Sequence, residues 1–449
     1  MIPYGGVAEA GAISQDWRGE DLSLYLGRCQ VDTPDDLVAL TWREVAARRE
    51  AIGKVVDFGA GDGRFARGGN YSAYVGYEID WRRCGDGAPS KRATIVHRCA
   101  FSEQINDADV CIGNPPFVRN QDLPAGWRKK VAERLEARSG VRLSGLANAW
   151  QYFFLLSLVS LAPDGLCALV IPYEWVSRPS AAGIRRFILA ARWDVDVYRV
   201  ADSTFGGVLT TSSITLVDKR SRNGRWRYFS DNGAGDFRAL RSESGSDEGL
   251  IPFEPASGSD SARAMRGLSP GTQRIFTLTE PERARMGLLI GEDVVPCVTS
   301  LRLLPEATSD LDQDAFYRFF RASGQACWLI RSDASPSDRV LAYLSTFSKD
   351  DYATSTCLGR PVWWKFKMPA TPSLLVATSF KGFRPKVCAN SAGAKAVGGV
   401  AGIFGLDPDR RHRFMTMMAE RDLSDRVVAH AKGLRKIEIN QLNALLAST

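Results

Sequence analysis

Two hydrophobic periodicities alternate along the first half of the chain. Short runs rich in Val, Ile, Tyr and Cys predict buried strands at 54–58 (KVVDF), 74–79 (YVGYEI), 108–113 (ADVCIG), 166–172 (LCALVIP), 195–200 (VDVYRV) and 212–218 (SSITLVD). Between them, WRKKVAERLEARSG (127–140) and NAWQYFFLLSLVSLA (148–162) predict helices, the second ending at the turn PDG (163–165). Strands and helices in this alternation predict a doubly wound, Rossmann-like α/β domain. The pattern fails near residue 220. RSESGSDEGLIPFEPASGSDSARA (241–264) is rich in Ser, Gly and acids, a poor core former, and reads as a loop or linker. Beyond it the chain reads as mixed α+β. Two domains are expected, 1–220 and 221–449.

Composition narrows the class. With 45% hydrophobic and 24% charged residues, the chain is an ordinary globular one rather than a disordered one. The longest apolar run, Tyr152 to Ala162, is too short to span a bilayer and is broken by serines. The N-terminal MIPYGGVAEAGAISQDW lacks a basic region followed by an apolar stretch, so no signal peptide is expected and a cytoplasmic location is. Nine cysteines without a CxxC pair, and only three histidines, point to free thiols and to no metal. The net charge of +7 is a mild pointer to a polyanionic partner.

Candidate chemistry begins at VVDFGAGDGRFA (55–66), where a glycine-rich turn follows a strand directly. Glycines there let a ligand approach the main chain closely. Glu78 follows Asp57 by about 20 residues, the distance at which an acid on a second strand tip binds both ribose hydroxyls. The glycines are spaced G-x-G-x-G, and Asp57 and Asp62 suit a cationic ligand better than a pyrophosphate. S-adenosylmethionine, a sulfonium with an adenosine tail, meets both preferences. A tight strand–helix turn without a ligand is the plain alternative.

CIGNPPFV (111–118) ends a later strand in a corner stiffened by two prolines. The Asn114 side-chain oxygen and the Pro115 carbonyl are two acceptors, set beside Pro116 and the flat face of Phe117. That corner suits a planar group carrying an amine, such as adenine N6. Two acceptors on the amine would free its lone pair for attack, and Phe117 would stack on the base once it left the duplex. A plain turn with an asparagine cap is the alternative. Cytosine C5 chemistry would need a cysteine thiolate, and mid-strand Cys111 reads as core.

In order, DFGAGDG, YEID and NPPF resemble the gamma-class, Taq-type DNA adenine-N6 methyltransferases. DTPDDLVALTWREV (32–45) is similar to the family's Thr-Pro segment that closes the cofactor pocket, which implies Thr33 as a cofactor contact. NAWQYFFLLSLVSLAPDGLCALVIPYEWV (148–176) resembles the family's helix–turn–strand pair. ADSTFGGVLTTSSITLV (201–217) resembles the segment whose aromatic, here Phe205, packs on the flipped adenine. GLRKIEINQLNALL (433–446) resembles a C-terminal ending common in the family. The resemblance covers residues 30 to 220 well and the rest loosely.

What it implies is a cofactor set of Thr33, Asp57, Gly59, Gly61, Glu78, Ile79, Phe101 and Asn114, and a catalytic set of Asn114, Pro115, Pro116 and Phe117. It also implies a double-stranded DNA substrate, a target-recognition domain after 220, a monomer or weak dimer, and a place in a restriction–modification system whose nuclease is a separate protein. One departure stands out. Where the family carries an acid after the third strand, this chain has CAF (99–101), so only Phe101 is kept.

In the C-terminal half, LGRPVWWKFKMPATPSLLVATSFKGFRPKVCANSAGAK (358–395) interleaves cations with aromatics. No acid occurs between Tyr352 and Leu406. Trp364, Lys365, Lys367, Arg384 and Lys386, with Phe117 and Phe205, are therefore candidate DNA contacts. Alternatively, the aromatics are core and the lysines a solvated rim. The basic segment 119–138 reads either as a lid on DNA backbone or as a solvated helix. Two other functions fit the same residues: methylation of an RNA amine or a protein glutamine amide, or DNA binding with a vestigial cofactor site.

Overall fold

The computed structural model describes residues 32–84, 90–200, 211–231, 237–239, 262–332, 335–424, 426–429 and 434–449. Phe205 and most of the acidic linker lie outside these residues. The chain divides into two compact units, with the break after Ser246.

In the first unit, helix α1 (Asp35–Ala46) precedes strands β1 (Lys54–Phe58), β2 (Ala73–Glu78), β3 (Ala93–His97) and β4 (Ala108–Gly113). Helices α2 (Ala125–Ser139) and α3 (Ala149–Ser160) lead into β5 (Leu161–Pro172). Helix α4 (Ala182–Ala190) is followed by β6 (Asp194–Arg199), β7 (Ser212–Asp218), β8 (Trp226–Asp231) and β9 (Phe237–Ala239). All nine strands form one sheet in the order β3-β2-β1-β4-β5-β7-β6-β8-β9. Strands β1 to β5 pair in parallel, whereas β7 runs antiparallel between β5 and β6. Because β2 and β4 flank β1 on opposite sides, the connections leaving β1 and β4 diverge. That switch point opens a crevice at the strand tips.

Burial explains the strand sequences. Val55, Val110, Ile112, Leu166 and Ala168 point to the face covered by Leu37, Trp42 and Val45 of α1, and all are nearly inaccessible. Each such side chain contributes ~1.5–3 kcal/mol by leaving water. Alternation puts Cys111 and its register partner Cys167 on the opposite face, both fully buried. The predicted PDG turn is an irregularity within β5, since the register jumps from Ala108↔Leu161 to Val110↔Leu166. Strands β8 and β9 extend the sheet past the compositional shift near residue 220. The sheet therefore outlasts the alternation that marked the expected boundary.

Among its described residues the second unit holds three small sheets of four, four and three strands, as its irregular pattern predicts. Helix Ile439–Ala447, within the C-terminal segment singled out above, carries a capping box from Glu438 and Gln441. Its Asn443 accepts a 2.7 Å hydrogen bond from the Ala264 amide. No helix among the described residues is long and apolar enough to cross a membrane.

Candidate active site

The glycine turn follows from its backbone angles. Gly59, Gly61 and Gly63 all have positive φ, at 90°, 56° and 74°, which side chains with a Cβ resist. The Gly59 and Ala60 amides donate to the Tyr77 carbonyl at 2.8 and 3.0 Å, pinning the turn to the tip of β2. Glu78 closes it. Its Oε2 accepts from the Gly61 amide at 2.7 Å, and its Oε1 accepts from the Ile79 and Asp80 amides, both at 2.9 Å. The carboxylate is 8% exposed and lines the cleft. Each carboxylate oxygen has room for more than one donor, so Oε2 keeps capacity for a ligand hydroxyl.

Asp57 lies behind the cleft wall. Tyr74 donates to its Oδ2 at 2.6 Å, while Oδ1 is buried without a partner. Burial lifts this carboxyl to about 7. Gly113, at φ 148°, is the residue that admits it, since a Cβ there would sit 2.2 Å from Asp57 Oδ1. The charge of Asp62 is taken by Arg64 and Arg67, at 3.0 and 3.3 Å. The acids that suggest a cation from sequence are thus largely occupied by protein partners, and what they offer a ligand is hydrogen bonding more than net charge.

At the corner, Asn114 and Pro116 line the same cleft as the glycine turn, whereas buried Pro115 and half-buried Phe117 fall outside that lining. The two loops touch: a Cβ at Gly59 would lie 3.6 Å from the Pro116 ring. Asn114 Nδ2 donates to the Thr33 hydroxyl at 3.1 Å, and Asn114 Oδ1 is buried with no partner. Unpaired buried acceptors are rare and cost on the order of 1–3 kcal/mol, so each calls for an explanation. The chain leaving the corner is stitched to the start of α3. Asn120 donates to the Gly145 and Ala147 carbonyls at 3.0 and 2.9 Å, its backbone amide donates to Asn148 Oδ1 at 3.0 Å, and Ala149 N donates to Val118 O at 2.9 Å.

The cleft also brings together residues far apart in the sequence. Phe101, 3% exposed, meets Trp127 edge-on at 5.4 Å and Phe153 at 4.8 Å, forming an aromatic wall. Trp127 comes from α2, whose Trp127, Val131 and Leu135 are buried at helical spacing. That stripe was legible in the basic segment 119–138, where it shows a packed helix rather than a wholly solvated one. Arg64 reaches the Thr33 carbonyl at 3.0 Å and Asp32 at 3.2 Å, and Arg83 also binds Asp32. Ile79 and Ala100 line the cleft beside them.

In the second unit, side chains of the basic stretch divide by position. Trp363 stacks on Tyr352 at 3.9 Å, Trp364 packs partly buried against the core, and Phe366 and Phe380 are buried. Lys365 and Lys367 are exposed between them. Exposed Arg384 donates to the Ala419 carbonyl. Lys386 donates to the Leu304 and Pro305 carbonyls, and burial lowers its pKa. Phe383 is exposed at a turn.

The strand order with an inserted antiparallel β7, the glycine turn and the acid at the tip of β2 give the first unit a class I methyltransferase fold. More narrowly, the chain's similarities are to restriction–modification methyltransferases. Residues 84–200 match the family described as Eco57I restriction-modification methylase. The chain is 24% identical to Type II methyltransferase M.XamI of Xanthomonas campestris pv. amaranthicola over 419 residues, 84% of this chain and 76% of that one. It is 25% identical to Type II methyltransferase M.AccI of Acinetobacter calcoaceticus over 118 residues, 26% of this chain and 21% of that one. Among solved structures, the Type IIL restriction-modification enzyme MmeI in complex with DNA shares the fold at a TM-score of 0.51 and 11% identity. That match covers 95% of this chain but 65% of the other.

Proposed function

We propose that this chain transfers a methyl group from S-adenosylmethionine to N6 of a flipped-out adenine in double-stranded DNA, as the modification enzyme of a restriction–modification system. One observation carries the reading: an asparagine oxygen without a partner, in the wall of a cleft shared with a glycine turn. An amine donor satisfies that oxygen.

The cofactor fits the residues present. Glu78 keeps an accepting oxygen for ribose hydroxyls, Gly59 and Gly61 leave the turn free of side chains, and Ile79 and Phe101 supply apolar surface for an adenine ring. S-adenosylmethionine brings an electrophilic methyl on a sulfonium. The chain's own part is orientation. Asn114 Oδ1 and the Pro115 carbonyl accept hydrogen bonds from the two N–H groups of the exocyclic amine, which turns its lone pair out of the ring. Pro116 holds the corner stiff, and Phe117 stacks on the base. Exposed Lys365 and Lys367 are offered to DNA phosphates, with Trp364 beside them. The place of Ala100 leaves the cofactor's adenine without an acid and throws its recognition onto backbone and shape.

The test is transfer of tritium from labelled cofactor to duplex DNA, RNA and protein, followed by digestion and separation of nucleosides. Label in N6-methyldeoxyadenosine is expected. Label in a cytosine, in RNA or in a glutamine amide would overturn the assignment, and absent cofactor binding would favour a DNA-binding protein with a vestigial site.

A further inference from the structure

We infer that Thr33 is a positioning residue for the Asn114 amide, presenting its oxygen rather than its nitrogen to the substrate amine. The inference deepens the reading of Asn114 given above and rests on it. The two ends of an asparagine amide are nearly equal in shape and opposite in hydrogen-bonding sense. A half-turn about the last torsion would place an N–H where an acceptor is needed, facing another N–H.

What allows the acceptor end to face the substrate is a partner for the nitrogen. Thr33 Oγ1 lies 3.1 Å from Asn114 Nδ2, and Thr33 is itself 6% exposed. Without that oxygen the amide nitrogen would be left unpaired in a nearly dry site whenever Oδ1 faces the amine. The hydroxyl is held from two directions. Thr33 precedes Pro34, the N-cap of α1, so its backbone is fixed by the helix. Its carbonyl accepts from Arg64 at 3.0 Å, and Arg64 is gripped in turn by Asp62 at 3.0 Å and Asp32 at 3.2 Å. The chain Asp62–Arg64–Thr33–Asn114 thus links the glycine turn to the corner through side chains 81 positions apart at its last step.

This role differs from a cofactor contact, and the two separate kinetically. Thr33→Val keeps the shape and removes the oxygen, whereas Thr33→Ser keeps the oxygen. In transfer assays with duplex DNA, Thr33→Val should lower kcat about tenfold, the scale of one hydrogen bond, with cofactor Kd by calorimetry unchanged. Thr33→Ser should restore most of the rate. A Thr33→Val protein with normal kcat, a defect confined to cofactor Kd, or a Thr33→Ser protein as slow as Thr33→Val would each overturn the assignment.

A second measurement does not depend on turnover. In protein labelled with 15N on asparagine, the Asn114 side-chain signal, identified by its absence in Asn114→Ala, should shift and exchange faster in Thr33→Val. An unmoved signal overturns the inference. Failure of the wild-type chain to methylate DNA, with that signal moving as expected, would instead sink the functional reading and leave the Thr33–Asn114 contact standing.

Discussion

The cleft of the first unit and the basic stretch of the second carry similar side chains and use them in opposite ways. In the cleft, charged groups turn inward and satisfy one another, Arg64 on Asp62 and Glu78 on three amides, while one asparagine oxygen is left open. In the basic stretch, aromatics turn inward to the core and cations turn outward, as at Trp364, Lys365, Phe366 and Lys367. The difference teaches that a polar residue marks a site by what it lacks. A lysine on the surface has water. A buried oxygen without a donor has nothing, and at Asn114 the proposed substrate amine would supply the donor.

The sharpest way to break the comparison is to remove the open acceptor. Asn114→Ala should cut methyl transfer by roughly 100- to 1000-fold, the scale seen when one electrostatic stabiliser of a transition state is lost. Cofactor and DNA binding should persist in equilibrium titrations, and a near-normal rate would place the chemistry elsewhere. Next comes the closed acid. Glu78→Ala should weaken cofactor binding by ~1.5–3 kcal/mol in calorimetry, the worth of a charge-assisted hydrogen bond. An unaltered Kd would mean Glu78 serves only the Gly61, Ile79 and Asp80 amides.

A smaller effect separates the lysines. Neutralising exposed Lys365 and Lys367 should each reduce the slope of log affinity for duplex DNA against log salt by about 0.9. Lys386→Ala should leave that slope alone and lower the denaturation midpoint instead, because its ammonium already holds two carbonyls. A slope that responds to Lys386 and not to the other two would invert the division drawn here.

The last comparison is read in stability rather than in activity and concerns Asp57, whose carboxyl burial lifts from 3.8 to about 7. A carboxyl raised in the folded state binds more protons folded than unfolded between those values. Its contribution to stability is therefore full below the lower value and is lost as pH rises towards the upper. Compared by urea midpoints at pH 5 and pH 7.5, Asp57→Asn should show a shallower decline than the wild type. Parallel declines would show that Asp57 ionises normally.

Much of the fold was legible because burial on both faces writes itself into a strand. KVVDF, ADVCIG and SSITLVD coincide with β1, β4 and β7 to the residue. Strand β3 escaped because it is half-exposed and its neighbours are polar, and β8 because its side chains are only partly buried. The glycine turn, Glu78 and Asn114 were legible as local motifs, and the cleft brings them together with Thr33 and Phe101. Arg64, Arg83 and Phe153 were not, since their partners lie far off in sequence and a one-dimensional pattern carries no such distance. The interleaved aromatics of the second unit admitted two readings from sequence because alternation fixes that neighbours point apart, but not which side faces water.

The paired cysteines at the middle of the sheet have a use of their own. Cys111 and Cys167 stand opposite each other in register, fully enclosed, and burial pushes both thiols well above the ordinary range. Thiols so shielded react with an alkylating reagent only when the covered face of β4 and β5 opens. Their labelling rate in native buffer is accordingly a built-in clock for opening of the layer behind the strand that leads into Asn114, readable without attaching a probe anywhere near the cleft.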